Sequence, residues 1–518
     1  MRRHRSGLIF GRILVNFCPR NNRFVKLSSL QVLRMSIRVD STELHIVNMH
    51  TRMPFRYGIA TLTAIPHLFV RVFATIDGVK SAGIAADGLS QKWFTKNPDA
   101  AYEDEIADML TVIRSACNLV TQIEQAPTVF GFWHTLYRAQ AEWAKGTSFP
   151  PLLWGFGVSL VERALIEAHC RAKRVSFCQA LKTNGFGIAL EEMHEELRGR
   201  LPGEFLPADP LRQIVVRHTV GLADPLTEND ITDGAALNDD LPHSLEACIR
   251  EYGIKQLKIK LSGDSEADVA RIERVFSVVR AWAPANVHFT LDGNENYRAV
   301  ETFQEFWRVL AERSSLRGFL QNMLFVEQPL HRDVSLGDTV KTAFADWKDR
   351  PPVIIDESDA TLDSLPRAIE CGYRGTSFKN CKGVFKGIAN ACLVRFLNEK
   401  RKGVAFIISA EDLSNVPPVA LQQDLASLSA LGISNPERNG HHYFRGMAAF
   451  PESVQTAVLD AHGDLFYRHE RGFVALRIRN GCVSTDSVVE APYGRACEFD
   501  PGCFTPADEW RFASLSGS

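Results

Sequence analysis

The sequence predicts an α/β protein: a TIM-type (β/α) barrel preceded by an N-terminal α+β domain. Three observations carry that prediction. Five short apolar runs in the second half each end in charged or polar residues, namely QLKIK (Lys258, Lys260), VHFTLDGN (Asp292, Asn294), LFVEQP (Glu327), VIIDES (Asp356, Glu357) and GTSFKN (Lys379). The charged ends from Lys260 to Lys379 lie roughly 23 to 35 residues apart, the length of one strand, one helix and two loops. Ahead of these units, strand-like alternation comes first and helical spacing second, which marks an α+β domain rather than more barrel.

The opening segment, residues 1–34, holds many Arg and Lys and no Asp or Glu. Its apolar run from Leu8 to Phe17 is broken by Arg12 and is too short to span a membrane. No small-residue cleavage site follows. It reads as a disordered basic extension, with a transit-like segment as the alternative, and the folded protein is expected to begin near Met35.

From residue 35 to about 205 comes the α+β domain. SIRVDSTELHIVNMHTRMPFRYG and HLFVRVFATIDGVKSAGIAA alternate β-branched and polar residues between turn signals. AYEDEIADMLTVIRSACNLV, FGFWHTLYRAQAEWAKG and VSLVERALIEAHCRAKRVSFCQAL have helical spacing. The Gly- and Pro-rich stretch from about Asn184 to Pro210 marks the boundary.

The barrel is expected over 206–450, with strands at Ile214–Leu222, Lys255–Leu261, Val287–Leu291, Met323–Val326, Pro352–Ile355, Thr376–Lys379, Val404–Ser409 and Ile433–Glu437. Helices at Ser244–Tyr252, Glu266–Trp282, Ala299–Glu312, Leu365–Cys371, Lys386–Leu397 and Pro417–Leu431 separate most of them. Residues 451–518 resume strand-like alternation and are expected to fold back on the first domain.

Composition is that of an ordinary globular enzyme. The 59 basic and 61 acidic residues nearly balance, which argues against nucleic acid or an anionic membrane surface as partner. The 11 cysteines are odd in number and scattered, with no CxxC pair; Cys497 and Cys503 read as ordinary thiols. A reducing cytoplasm follows as the expected location.

The strand ends set the chemistry, because active-site residues of a parallel barrel sit at the C-terminal ends of its strands. Asp292, Glu327 and Asp356 supply hard anionic oxygens that suit Mg²⁺. Crowded without a cation they would repel, so a divalent ion is the simplest way to keep all three ionised. Any one alone could be a helix N-cap or a surface acid. Lys258 and Lys260, two apart on a strand, point to the same side, and mutual repulsion beside a metal is expected to lower a lysine pKa toward neutrality. Snorkelling to solvent is the alternative, fitting an edge strand better than a barrel interior. Lys379, four strands on, lies opposite, so two lysines could reach both faces of one carbon and exchange an α-proton.

These motifs together resemble the enolase superfamily, and within it the muconate-lactonizing group with its dipeptide epimerases and N-acylamino acid racemases. The resemblance rests on KxK at Lys258 and Lys260, DxN at Asp292 and Asn294, EQP at Glu327, DES at Asp356 and Glu357, and the strand-six lysine Lys379. Glu411 falls where the family carries a seventh-strand acid, and PFRYG with the VERALIEAHC helix resembles its capping domain. The resemblance implies Mg²⁺ on Asp292, Glu327 and Asp356 and an enolate formed α to a carboxylate. Lys260 and Lys379 would be the acid/base pair, and Lys258 would contact the substrate carboxylate and tune Lys260. Asn294, Glu357, Glu411 and Lys382 are expected near the substrate or behind these groups. The chain departs from the family at KNCKGVFKG, which keeps Lys382 but lacks the Gly-Gly of KxxKxGG, and in an enlarged capping domain.

The expected activity is racemisation or epimerisation of an N-acylamino acid or dipeptide-like carboxylate. A lyase (dehydratase or cycloisomerase) using the same enolate, and a non-catalytic metal-binding ligand or scaffold protein, are the alternatives. Membership would also imply a homo-oligomer. Arg56 is a candidate carboxylate clamp or else a solvated strand arginine; His441 and His442 are candidate extra acids or else structural histidines.

Overall fold

The computed structural model describes residues 36–232, 237–283 and 286–516, and the expected basic extension at 1–34 lies outside them. An antiparallel meander opens the chain: β1 (Ile37–Tyr57), β2 (Ala60–Ile76) and β3 (Val79–Gly88). The β2–β3 connection is an Asp-Gly turn with both residues at positive φ, 50° at Asp77 and 80° at Gly78, the conformation that matches strand twist in a tight hairpin. Four helices follow, α1 (Gln91–Thr95), α2 (Tyr102–Gln122), α3 (Val129–Ala144) and α4 (Pro151–Lys173).

Helix α4 is buried on every side from Leu152 to Cys170 apart from half-buried Gly155, as expected of a helix at the centre of a layered structure. It lies so close to β3 that a Cβ on Gly83 would stand 1.9 Å from the Ala164 carbonyl oxygen. The opposite face of the sheet is covered by the chain's C-terminal segment. Phe69 of β2 stacks on Phe504 with ring planes 10° apart and also packs on Phe499, which explains why His67 to Val70 are buried without alternation. Aromatic burial of this kind is worth about 1.5–3 kcal/mol per ring.

The expected first barrel strand divides in two. β4 (Gln213–Val215) is antiparallel to a strand of the C-terminal segment, Cys482–Ser484, while β5 (Arg217–Val220) enters the parallel sheet. Ile214 is buried against Val483, whereas Arg217 and Thr219 turn inward to meet carboxylates. The remaining parallel strands are β6 (Gln256–Lys260), β7 (His288–Asp292), β8 (Met323–Glu327), β9 (Val353–Ile354), β10 (Gly375–Phe378), β11 (Ile407–Ala410) and β12 (Glu437–Arg438).

Hydrogen-bonded order runs β12-β5-β6-β7-β8-β9, continues through the Ile355–Thr376 bridge to β10, and ends at β11. Among the described residues no ladder joins β11 to β12. Side chains close that seam: Asp412 accepts from Asn439 N at 2.9 Å, and Glu437 accepts from Asp412 N at 3.3 Å. The last strand begins at Glu437 rather than Ile433, because Gly432 (φ 67°) and Ile433 are used to terminate the preceding helix, with Ile433 N donating to Leu428 O at 3.0 Å.

Cap, barrel and C-terminal segment belong to one compact unit, Met35–Ser518. Glu162 on α4 accepts from Val384 N at 3.0 Å and Phe385 N at 2.7 Å, satisfying the first turn of the barrel helix Val384–Lys400. The 10 cysteines among the described residues are free.

Candidate active site

Strand register sets the site. Lys260 on β6 pairs with Asp292 on β7, and Asp292 pairs with Glu327 on β8, so three charged residues stand side by side at one level. Glu327 pairs in turn with Ile354 on β9, and Asp356 lies two residues on, on the same face. Between strand and loop the backbone is strained: Asn294, Glu295 and Gln328 have φ of 40°, 64° and 35°.

Lys260 donates to Asp292 Oδ2 at 2.6 Å. On the opposite side Lys379 donates to Asp356 Oδ2 at 2.6 Å, while its ammonium lies 4.1 Å from the ring centroid of Trp93, a cap residue. Lys382 holds the other side of Asp356, donating to Oδ1 at 3.0 Å and to Ser377 O at 2.6 Å.

Lys258 has a different place from the one expected. Its ammonium is fully buried, 2.9 Å from Asp292 Oδ2, 2.9 Å from Glu327 Oε2, 2.6 Å from Glu411 Oε2 and 2.9 Å from Glu437 Oε2. Three N–H donors facing four carboxylates leave nothing for a substrate. Glu411 is shared with Arg217, which donates to its Oε1 at 2.7 Å.

The neighbouring carboxylates dominate the charge of Lys258 and Lys379. Burial would lower Lys258 and Lys379, but their carboxylates raise both, Lys258 well above its usual value. Burial would raise Asp356, yet Lys379, Lys382 and Lys258 hold it well below the usual range; Asp292 is lowered by Lys258 and Lys260 in the same way. Glu327 goes the other way, raised by burial and by Asp292 and Glu411. Glu357 is pushed up to about 7 by burial, Asp356 and Glu295.

The oxygen set suits a hard divalent cation. Besides the three strand-end carboxylates, Asn294 Oδ1 and Glu357 Oε2 are buried without a hydrogen-bond partner among the described residues. Above them a small cavity is lined by Tyr57, Trp93, Lys96, Asn294, Glu295 and Glu357, so cap and barrel both contribute to it. Arg332 fastens the cap segment, donating to Trp93 O at 2.8 Å, to Phe94 O at 2.6 Å and to Glu295 Oε2 at 2.7 Å.

Of the remaining candidates, Arg56 is exposed and donates to Thr61 Oγ1 at 3.4 Å. His441 and His442 pack against His218, on the outer side of β5. Residues not anticipated are Arg217, Gln328, Glu437 and Trp93. Glu437 ended the last expected strand and carried the same signal as the others, a charge closing an apolar run. Gln328 lay inside the EQP motif, Arg217 was a charge within an apolar strand, and Trp93 had no signal.

No family model and no curated protein matches the sequence. Solved structures do match. A dipeptide epimerase from Enterococcus faecalis, complexed with Mg and L-Leu-L-Tyr, aligns with TM-score 0.54 and 14% identity over 88% of this chain and 99% of its own. An N-succinyl Arg/Lys racemase from Bacillus cereus aligns with TM-score 0.53 and 14% identity, covering 87% and 97%. A muconate lactonizing enzyme complexed with muconolactone, from a smegmatis mycobacterium, gives TM-score 0.53 and 16% identity over 90% and 98%. The protein therefore has a capped, parallel α/β fold of the kind built around a mouth at the strand ends. That fold is shared by a solved member of the enolase superfamily from Enterococcus faecalis and by a mandelate racemase/muconate lactonizing protein from Herpetosiphon aurantiacus. Among the described residues no helix is long and apolar enough to cross a membrane.

Proposed function

We propose that the chain is a Mg²⁺-dependent enzyme that removes and returns a proton α to a carboxylate through an enolate, acting as a racemase or epimerase of an N-acylamino acid or dipeptide-like substrate. The observation that carries this reading is the placement of Lys260 and Lys379. They stand four strands apart in an array of eight, each aimed at the carboxylates between them. Two opposed amines can serve opposite faces of one carbon, which a racemase requires and a one-way elimination does not.

Asp292, Glu327 and Asp356 would hold Mg²⁺, which when bound supplies positive charge to the developing enolate oxygen. Asp356 favours the charged form of Lys379, so Lys379 can take a proton only while Asp356 is engaged by something other than its ammonium group. Lys382 and Ser377 keep Asp356 oriented, and the buried Lys258, Glu411 and Arg217 cluster fixes the floor. Tyr57, Lys96, Asn294 and Glu357 face the substrate. The Mg-bound epimerase and the N-succinyl amino acid racemase among the similar structures support the substrate class.

One observation favours the lyase reading: Glu357 lines the small cavity with its buried Oε2 free of a hydrogen-bond partner among the described residues, placed to act as a general acid that protonates a departing β-group. Exchange of substrate α-protons in D₂O, followed by NMR across dipeptides, N-acylamino acids and sugar acids, separates the two. Racemisation predicts exchange abolished by EDTA, with Lys260→Ala and Lys379→Ala each losing one stereochemical direction. Elimination predicts exchange from one face only, already in the parent, and unchanged by Lys379→Ala. Failure to bind any divalent metal would sink both.

A further inference from the structure

On the outer face of β5 lies a second group of metal-ligating side chains, separate from the carboxylate mouth. Arg217 and Thr219 point inward to Glu411 and Glu437, so alternation sends His218 outward, toward the helix Leu245–Tyr252. There it meets Cys248 from that helix and His442 from the short helix Gly440–Tyr443. A ring nitrogen of His218, Cys248 Sγ and a ring nitrogen of His442 all lie within 4.8 Å of one another. Relative exposures are 1%, 0% and 2%, so all three side chains are removed from solvent.

We propose that His218, Cys248 and His442 form a Zn²⁺ site that cross-links the first barrel strand, the helix after it and the segment following the last strand. Cys248 Sγ stands 3.6 Å from His442 Nδ1. A tetrahedral ion with Zn–S of about 2.3 Å and Zn–N of about 2.0–2.1 Å separates thiolate and imidazole donors by about that distance. Ligating histidines are normally oriented through their second nitrogen, and His218 has a group placed for it. His441 Nε2 lies 3.2 Å from His218 Nδ1, and Asp224 Oδ2 lies 3.8 Å from His442 Nε2. Asp224 Oδ1 is buried with no hydrogen-bond partner among the described residues, a polar atom beside this place left unsatisfied by protein alone.

The chemistry of the donors agrees: a bound cation takes a cysteine as its thiolate and a histidine as its neutral ring. Imidazole and thiolate together favour a borderline-soft ion over Mg²⁺, so the two sites select different metals. Arg52 of β1 donates to the His442 carbonyl at 3.1 Å, which extends the cross-link to the cap.

The test is metal content by mass spectrometry of the full chain as expressed, with Co²⁺ replacing Zn²⁺ as an optical probe. The site predicts one tightly held Zn per chain, retained when Asp292→Asn and Asp356→Asn disable the carboxylate mouth. It also predicts a near-ultraviolet thiolate-to-cobalt charge-transfer band. Cys248→Ser should abolish the band and weaken Zn²⁺ binding at least about tenfold. Should that variant fail to fold by circular dichroism, His442→Gln gives the same readout with the thiol kept. Absence of the charge-transfer band from the Co²⁺-loaded parent, or Zn²⁺ affinity unchanged in folded Cys248→Ser, would overturn the site and leave a plain S–H···N hydrogen bond.

Discussion

Lys258 donates to Glu411 Oε2 at 2.6 Å beneath the mouth, and the other oxygen of Glu411 is held by Arg217 at 2.7 Å. Glu411 thus ties a lysine of β6 to an arginine of β5, and Lys258 also serves Asp292, Glu327 and Glu437. Removing a buried cation while leaving its carboxylates costs about 3–5 kcal/mol. Lys258→Met is therefore expected to lose at least about 3 kcal/mol of unfolding free energy in urea titration, part of it recovered by adding Glu411→Gln. A loss below about 1 kcal/mol would show that Lys258 is not the hub of the floor.

Trp93 reaches from the cap to lie 4.1 Å from Lys379 Nζ. A cation over an indole face gains about 0.5–2 kcal/mol. Trp93→Leu is expected to slow proton exchange on the Lys379 face by roughly 2- to 30-fold and to leave the Lys260 face unchanged. Stereospecific deuterium incorporation measures both faces in one experiment. Equal slowing on both faces would assign Trp93 to general substrate binding.

Much of this was legible from residues at strand ends. Lys260, Asp292 and Glu327 closed apolar runs of matching length, and parallel register brings such ends to one level. The meander was readable from its alternation and the Asp77-Gly78 turn. What was not legible came from tertiary pairing. Four carboxylates reach Lys258 from four strands, and only the barrel brings them together. The short β12 was misplaced because Gly432 and Ile433 serve the preceding helix end, a use that competes locally with strand propensity. Trp93 lies far from Lys379 in sequence, and no local pattern links them.

Gln328 holds the loop that carries Asp356. Its Oε1 accepts from Asp356 N at 2.8 Å and Ser358 N at 3.1 Å, and its Nε2 donates to Leu330 O and Ser358 Oγ, both at 2.7 Å. Losing such an outer support typically weakens metal binding about 10- to 100-fold. Gln328→Ala is expected to show that loss in Mg²⁺ titration calorimetry while far-ultraviolet circular dichroism stays unchanged. Unaltered Mg²⁺ affinity would remove Gln328 from the support of Asp356.

Glu162 makes the cap–barrel contact sensitive to pH. Burial raises its carboxyl from 4.5 to about 7, against the opposing pull of the Phe385 and Val384 amides. The unfolded chain releases this proton at the lower value and the folded chain keeps it, so between the two values the native state binds more protons. The contribution of this residue to stability is therefore fully present below about pH 4.5 and lost as pH rises toward about 7. The loss is at most roughly 3 kcal/mol. Glu162→Gln has no such proton, so urea unfolding of parent and variant at a series of pH values should give a stability difference that shrinks with rising pH across this window. Parallel curves would mean that the two backbone donors outweigh burial and that Glu162 enters the fold already ionised.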